Sequence, residues 1–403
     1  MSGSPAARVL GFTLATVLPA AATLVSLPVL AHAVDRPTWA GLAVGQSVGG
    51  LASLVAAGGW ALTGPAAVAG ASTAARRSLY EASLRLRVAV ALVVVPVGML
   101  VTFLLVADSA RPLSLAVSAS SSLVALSPRW FLVGVGTARD VLRFEALPVA
   151  AAHLVAAAAI AAGASPLVFP AATTAAYVAA ALALAVVVRR PGTADPSVRV
   201  SWRSRWAPTA TEVVGGAYST VNVALVSVQV SVAALAGYAS GWKLYQWGIV
   251  VVAGACQALQ GWVATGAADR ARRFRTALAL HAAIGTAGLA GFLLLGGPLT
   301  SVLFGEALAA PGAVSAWFGG AVLFLSLNSS LGRHVLVASG RVDAVLRSTL
   351  VGAAFGVPAI LVLADRYGAV GGAAGLALTE ALVCAYQLAV ARPLLRSERL
   401  SGT

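Results

Sequence analysis

The stretch Val88-Ala89-Val90-Ala91-Leu92-Val93-Val94-Val95-Pro96-Val97-Gly98-Met99-Leu100-Val101-Thr102-Phe103-Leu104-Leu105-Val106-Ala107 holds no charged residue. Coiled as an α-helix it is about 30 Å long, the thickness of a bilayer's hydrocarbon core. Polar and apolar positions do not alternate along it, so it lacks the pattern of a lipid-facing barrel strand. A helix satisfies its backbone in lipid without a neighbour. Arg85 and Arg87 stand before it, Asp108 and Arg111 after it. An apolar run between charged flanks is the unit from which the rest of the chain is built.

Runs of this kind cover 9–32, 40–63, 88–107, 113–134, 146–163, 167–188, 208–233, 239–264, 276–297, 314–337, 344–364 and 370–391. The expected fold class is therefore an all-α membrane protein of about twelve transmembrane helices. Composition agrees: of 403 residues 59% are hydrophobic and 10% charged, where soluble domains carry about 25% charged residues. Ala31-His32-Ala33 imitates a signal-peptidase site. The apolar stretch from Val9 to Ala31 exceeds an ordinary signal core, however, and further spans follow, so the first run is expected to stay as a helix.

A net charge of +14 would suggest nucleic acid as partner in a soluble protein. Here the arginines lie in short loops between apolar runs, where they set orientation and meet anionic lipid headgroups, and no nucleic-acid partner is expected. Counting loops alternately to two sides places 21 of the 27 basic residues on one side, among them Arg76, Arg77, Arg85 and Arg87. Only Arg36, Arg111 and Arg366 fall on the other, and Arg129, Lys243 and Arg333 fall within spans. By the positive-inside rule the basic side is cytoplasmic, which puts both termini there and the chain in the cytoplasmic (inner) membrane.

The two halves echo one another. Ala40-Gly41-Leu42-Ala43-Val44-Gly45 opens the second span and Ala236-Gly237-Tyr238-Ala239-Ser240-Gly241 opens the eighth, 196 residues later. Arg129 with Val141-Leu142-Arg143 returns as Arg333 with Val345-Leu346-Arg347 at an offset of 204, and Arg190-Pro191 returns as Arg392-Pro393 at 202. A repeat of six spans keeps its topology, so the copies are related by an axis along the membrane normal. The expected domains are an N-terminal lobe over 1–188, a basic cytoplasmic linker over 189–206 and a C-terminal lobe over 207–403.

No catalytic constellation stands out: the histidines are scattered, the acids are unpaired, and no GxxxxGK[ST], HExxH or GxSxG run is present. The chain is not expected to be an enzyme or to carry a cofactor. Cys256 and Cys384 lie in apolar runs without CxxC spacing, which supports neither a disulfide framework nor a zinc site and reads as packing. His153 and His281 read as packing or interfacial residues.

Ionisable and amide residues within spans are costly in lipid and normally face the bundle interior or water. In the seventh span Glu212, Ser219, Asn222 and Gln229 fall within an arc of about 100° on a helix. In the eighth, Lys243, Gln246, Gln257 and Gln260 cluster in the same way. Arg333 aligns with Ser326, Ser329 and Ser330 in the tenth, Arg129 with Ser118 and Ser122 in the fourth, and Glu380 stands seven residues before Gln387 in the twelfth. Arg129, Lys243, Arg333, Asn222, Gln229, Gln246 and Gln257 are the candidate substrate contacts, Glu380 and Glu212 the candidate ion-coupling acids. Each has a plainer alternative: amides and serines glue helices together, and Arg129, Arg333, Lys243 and Glu212 lie near enough to span ends to reach headgroups.

Asp35-Arg36-Pro37-Thr38-Trp39-Ala40-Gly41-Leu42-Ala43 and Ala236-Gly237-Tyr238-Ala239-Ser240-Gly241-Trp242-Lys243-Leu244 resemble the first outer turn of each half in the polysaccharide biosynthesis protein family. Val337-Ala338-Ser339-Gly340-Arg341 and Tyr367-Gly368-Ala369-Val370-Gly371-Gly372-Ala373-Ala374 are similar to its tenth-to-twelfth helix region. These are the oligosaccharide flippases of the multidrug, oligosaccharidyl-lipid and polysaccharide exporter superfamily. The resemblance implies two six-helix lobes about a V-shaped cavity, as in multidrug exporters of the MATE type. It also implies a lipid-linked oligosaccharide carried from the inner to the outer leaflet by alternating access. Cavity cations would meet the anionic diphosphate, and Arg129, Lys243 and Arg333 occupy plausible places. Glycosyltransferases and a glycan polymerase are the implied partners beside membrane lipids. The chain is short for the family and has fewer internal cations than many members.

Three other functions compete. An ion-coupled drug antiporter of the same superfamily needs a compact acidic site, a scaffold or permease subunit needs a coupling helix, for which 138–145 is the candidate, and a membrane glycosyltransferase needs a long loop with clustered acids.

Overall fold

A computed structural model describes residues 5–189, 195, 200–264 and 269–396. In the expected linker, Arg190, Pro191, Gly192, Pro196 and Arg199 lie outside the described residues, as does Arg399. Among the described residues there is no strand. The helices are α1 (Pro5–His32), α2 (Arg36–Ala57), α3 (Trp60–Ala69), α4 (Thr73–Leu105), α5 (Arg111–Ser122), α6 (Arg129–Val135), α7 (Ala138–Val141), α8 (Leu147–Ala161), α9 (Val168–Arg189), α10 (Trp202–Thr220), α11 (Asn222–Ser227), α12 (Val232–Ala264), α13 (Arg270–Phe304), α14 (Gly312–Ser329) and α15 (Val342–Arg396). The chain folds as two compact units, Met1–Ala224 and Leu225–Thr403. Helix α10, assigned from sequence to the second repeat, packs on α2 and α3 of the first unit.

These helices trace the twelve expected passages, several of them broken. The second passage is α2 and α3, parted at Gly58 and Gly59, both left-handed at φ 63° and 67°, a backbone only glycine adopts without strain. The fourth is α5 and α6, parted by a 3-10 turn and Ser127-Pro128. Two π-helical turns, Leu142–Ala146 and Ser330–Leu336, lead into α8 and continue α14. The last two passages are the halves of α15, parted at Gly368 (φ 61°, ψ −144°). Caps start the helices where the sequence offers them: Asp35 accepts from Thr38 N at 3.0 Å ahead of α2, and Ser72 from Ala75 N at 3.2 Å ahead of α4.

The surface is the apolar part. Leu92, Leu104, Leu294 and Val302 are 71 to 77% exposed, while Ser83, Arg87, Thr102, Ser118, Ser122, Asn222 and His281 are buried. A protein in water would show the reverse; the bilayer takes the leucines, so the chain is a multi-pass membrane protein. Helices then associate through small residues that bring backbones together. Gly41, Gly45 and Gly49 line one edge of α2, and a Cβ at Gly45 or Gly49 would strike the carbonyl oxygen of Ser114 or Ser118 on α5. The second unit repeats the device: a Cβ at Gly237 would come within 2.9 Å of Ala309 O and one at Gly241 within 3.0 Å of Phe318. Of the paired glycines of the sequence echo, Gly41, Gly45 and Gly241 are thus helix-crossing points, and Gly237 admits the chain that leads into α14. Hydroxyls bond back along their own helices, as Thr102 Oγ1 does to Gly98 O (2.8 Å) and Ser122 Oγ to Ser118 O (2.7 Å), which satisfies them without water.

Candidate functional site

The first unit holds a cavity of about 530 Å³ lined by Trp60, Arg87, Ser127, Arg129, Trp130 and Glu212 among others. Arg87, counted from sequence as a loop cation, is instead the most deeply buried charge among the described residues of this unit, 1% exposed inside α4. The helix starts at Thr73, and its 33 residues make it about 50 Å long, so basic residues that read as loop form its first turns. Arg87 Nη1 donates to Ala125 O (2.8 Å) and Ser127 O (3.0 Å), the carbonyls freed where the fourth passage breaks. Its guanidinium lies 5.7 Å from the Trp130 ring centroid. Nε and Nη2 make no hydrogen bond of good geometry among the described residues, although the Tyr80 hydroxyl interacts with the guanidinium.

Trp130 packs against Trp60 with centroids 4.5 Å apart, and both indole nitrogens are buried without an acceptor. The unsatisfied groups of these three cavity-lining side chains are therefore all donors. Water or an oxygen-rich ligand satisfies such a set, and a phosphate or sugar does so best, because a buried unpaired guanidinium is expensive.

Arg129 borders the same cavity but is already engaged. Its Nε donates to Glu145 Oε1 (3.0 Å), Nη2 to Ala15 O (2.8 Å) and Nη1 to Thr16 Oγ1 (3.3 Å). Glu145, one of the acids read as unpaired, also accepts from Ser127 Oγ at 2.8 Å. The helix break before Arg129 removes it from the face carrying Ser118 and Ser122, contrary to the expected alignment. Glu212 accepts from Leu62 N at 2.8 Å, in the first turn of α3, where a carboxylate meets free N–H groups and the positive end of the helix dipole. Arg205 stacks over Trp60 at 4.1 Å and bonds Gly58 O and Thr63 Oγ1, closing the same corner.

The seventh-span stripe does not exist as one face. Helix α10 ends at Thr220, Asn222 begins α11 and is buried, and Gln229 lies in the turn beyond it, exposed. In the second unit Lys243 is 3% exposed and its Nζ donates to Gln246 Oε1 at 3.3 Å, while Gln246 is exposed, Gln257 half-buried and Gln260 exposed. Arg333 is exposed whereas Ser326 and Ser330 are buried. The expected common face fails because the π-turn from Ser330 widens the helix and shifts the phase of every residue after it. Glu380 is 3% exposed; its Oε2 accepts from Asn328 Nδ2 at 2.8 Å, and Asn328 Nδ2 also reaches Glu380 O at 3.1 Å. Gln387, one face-turn further on, donates to Ser348 Oγ at 3.0 Å. Sequence reasoning missed Arg87 and Glu145; an arginine directly before an apolar run and a glutamate sixteen residues after Arg129 carry no pattern that singles them out.

No protein-family model matches the chain, and no curated protein does. Solved structures do match in fold. The lipid II flippase MurJ in an inward closed conformation superposes with a TM-score of 0.70 at 11% identity, over 94% of this chain and 87% of that one. An inward-facing multidrug resistance MATE family transporter of the MOP superfamily gives 0.61 at 15%, over 97% and 96%. A MATE protein in a bent conformation gives 0.60 at 14%, over 100% and 98%. The chain therefore has the fold shared by MurJ and the MATE transporters.

Proposed function

We propose that this protein moves a lipid-linked oligosaccharide, a polysaccharide precursor carried on a lipid diphosphate, from the inner to the outer leaflet of the cytoplasmic membrane. The observation that carries the reading is the set of unsatisfied donors beside the cavity of the first unit, which Glu212 also borders. Arg87 and the indoles of Trp60 and Trp130 leave four buried donor nitrogens unsatisfied beside a space lined also by Arg129. A diphosphate cannot cross hydrocarbon unaided, and it needs charge-assisted hydrogen bonds while its lipid tail stays in the bilayer. Arginine suits its geometry, and indole faces suit sugar rings. The fold's occurrence in a lipid II flippase supports the same substrate class. Both termini face the cytoplasm in this reading, glycosyltransferases and a glycan polymerase supply and consume the substrate, and Lys243 and Arg333 are the second unit's candidate contacts.

Depletion of the protein tests this. Lipid-linked glycan should accumulate on the cytoplasmic leaflet and surface glycan should fall; unchanged levels of both would sink the proposal. One observation favours a second reading, ion-coupled antiport: the buried Glu380–Asn328 contact in the second unit. Proton- or sodium-driven efflux of a cationic dye from proteoliposomes, lost in Glu380→Gln, would favour it over flipping.

A further inference from the structure

Cys256 on α12, His281 on α13 and His334 on the π-turn after α14 meet inside the second unit. One donor atom of each lies within 4.8 Å of the other two, and all three residues are at most 1% exposed. Sequence spacing hides the cluster because each member comes from a different helix.

The hydrogen bonds around it prepare the ligands. Ser326 Oγ donates its proton to His281 O (2.8 Å), so the 3.1 Å contact between that hydroxyl and His281 Nδ1 has the ring nitrogen as donor. Nδ1 therefore carries the imidazole proton, and Nε2 presents a lone pair that is buried and has no partner among the described residues. One turn further along, Ser330 Oγ lies 3.4 Å from His334 Nδ1. For His281 a hydroxyl on the far nitrogen is the outer-shell arrangement that fixes the tautomer of a metal-bound histidine, whereas His334 here holds the other tautomer, its Nε2 donating to Cys256 O. His334 Nε2 is 3.6 Å from Cys256 Sγ and 3.0 Å from Cys256 O. Donors bound to one ion stand about 3.5 to 3.8 Å apart, so this edge already has the right length, and the two edges to His281, each within 4.8 Å, need shorten by no more than about 1 Å.

We propose that these three side chains form a metal site for a single cuprous ion. One thiolate and two imidazoles suit copper and zinc alike. The surroundings decide between them. Zinc takes a fourth ligand and would leave a net positive charge among apolar helices, whereas a monovalent ion accepts three ligands and is neutralised by the thiolate. Capture releases one proton, from the Cys256 thiol. His334 exchanges its bond to Cys256 O for the metal and shifts its own proton to Nδ1, facing Ser330. The site is independent of what the protein transports.

The test uses the full chain, purified in detergent and reduced anaerobically. It is exposed to Cu(I) or Zn(II), each in the presence of a competing chelator, and metal per chain is then measured by mass spectrometry. One copper per chain is expected in the wild type and in the controls His32→Gln and Cys384→Ser, falling at least tenfold in Cys256→Ser and in His281→Gln. Copper X-ray absorption of the wild type, which needs no variant to fold, should show one sulfur and two imidazole nitrogens. Absence of bound copper, retention in the folded His281→Gln protein, a different ligand shell, or retention of zinc in its place would each overturn the proposal.

Discussion

Arg129 Nε stands 3.0 Å from Glu145 Oε1 and ties the start of α6 to the π-turn that leads into α8. The carboxylate is buried and the guanidinium is 35% exposed, so the pair lies between the inexpensive surface and the costly interior extremes. Because Ser127 also holds Glu145, the pair fixes the break in the fourth passage, and through it the carbonyls that receive Arg87. Arg129→Ala and Glu145→Ala should each lower stability in detergent by about 1 to 3 kcal/mol. The double variant should lose less than the sum by about 1 kcal/mol, because the second substitution removes the group the first left unpaired. Thermal unfolding of the four proteins completes the cycle; strict additivity would mean the contact is incidental.

Arg87 makes the sharper functional prediction. Nη1 is spent on two backbone carbonyls, while Nε and Nη2 are buried without a hydrogen bond beside the cavity that Arg87 lines. Losing charge-assisted bonds to a phosphate worth about 1.5 to 3 kcal/mol should cut transport at least about tenfold in Arg87→Ala. Arg87→Lys should recover part of it, since an ammonium keeps the charge and loses the fork. Membrane levels of each variant, measured by immunoblot, separate transport from folding. Wild-type glycan export by an Arg87→Ala protein present in normal amount would remove this residue from the site.

What could be read from sequence divides along physical lines. Hydrophobic run length reports burial in lipid directly, so the twelve passages were legible, and Gly41 and Gly45 with Gly237 and Gly241 were legible as a repeat, though not as the close contacts the structure gives them. Helical phase was legible only where the helix is continuous. The stripes containing Asn222, Arg129 and Arg333 failed at a chain turn, a proline break and a π-turn, local departures that periodicity assumes away. Arg87 was hidden for a related reason: α4 runs on beyond the hydrocarbon thickness, and residues that hydropathy assigns to a loop are still helix. The contacts Arg129–Glu145 and Cys256–His334 join residues of separate helices, a geometry no linear spacing encodes.

Glycine spacing on α2 gives a stability prediction. A methyl group at Gly45 would collide with the Ser114 carbonyl oxygen, a backbone atom that cannot rotate away. Gly45→Ala should therefore destabilise by about 1 to 3 kcal/mol through overpacking. A methyl group at Gly254 on α12 would meet nothing within 4 Å, and Gly254→Ala should be neutral or stabilise by up to about 1 kcal/mol from helix propensity alone. Equal melting temperatures for Gly45→Ala and the wild type would show that α2 and α5 separate freely.

The cap on α2 makes the last prediction, and it concerns pH. Asp35 lies between α1 and α2, exposed, and its hydrogen bonds from Thr38 hold its carboxyl below the ordinary 3.8. A depressed folded-state value means the carboxylate stabilises the fold above the unfolded-state pKa, and that contribution fades as pH falls through the folded one. At neutral pH Asp35→Ala should cost about 1 kcal/mol, the usual worth of an N-cap. Asp35→Asn should cost only a few tenths, since asparagine still accepts from Thr38 N. Lowering pH toward 3 should narrow the gap between wild type and Asp35→Asn, as protonation removes the charge that distinguishes them. Unfolding curves across pH 3 to 7 check the sign; a gap that widens on acidification would show that the carboxylate is not the capping form.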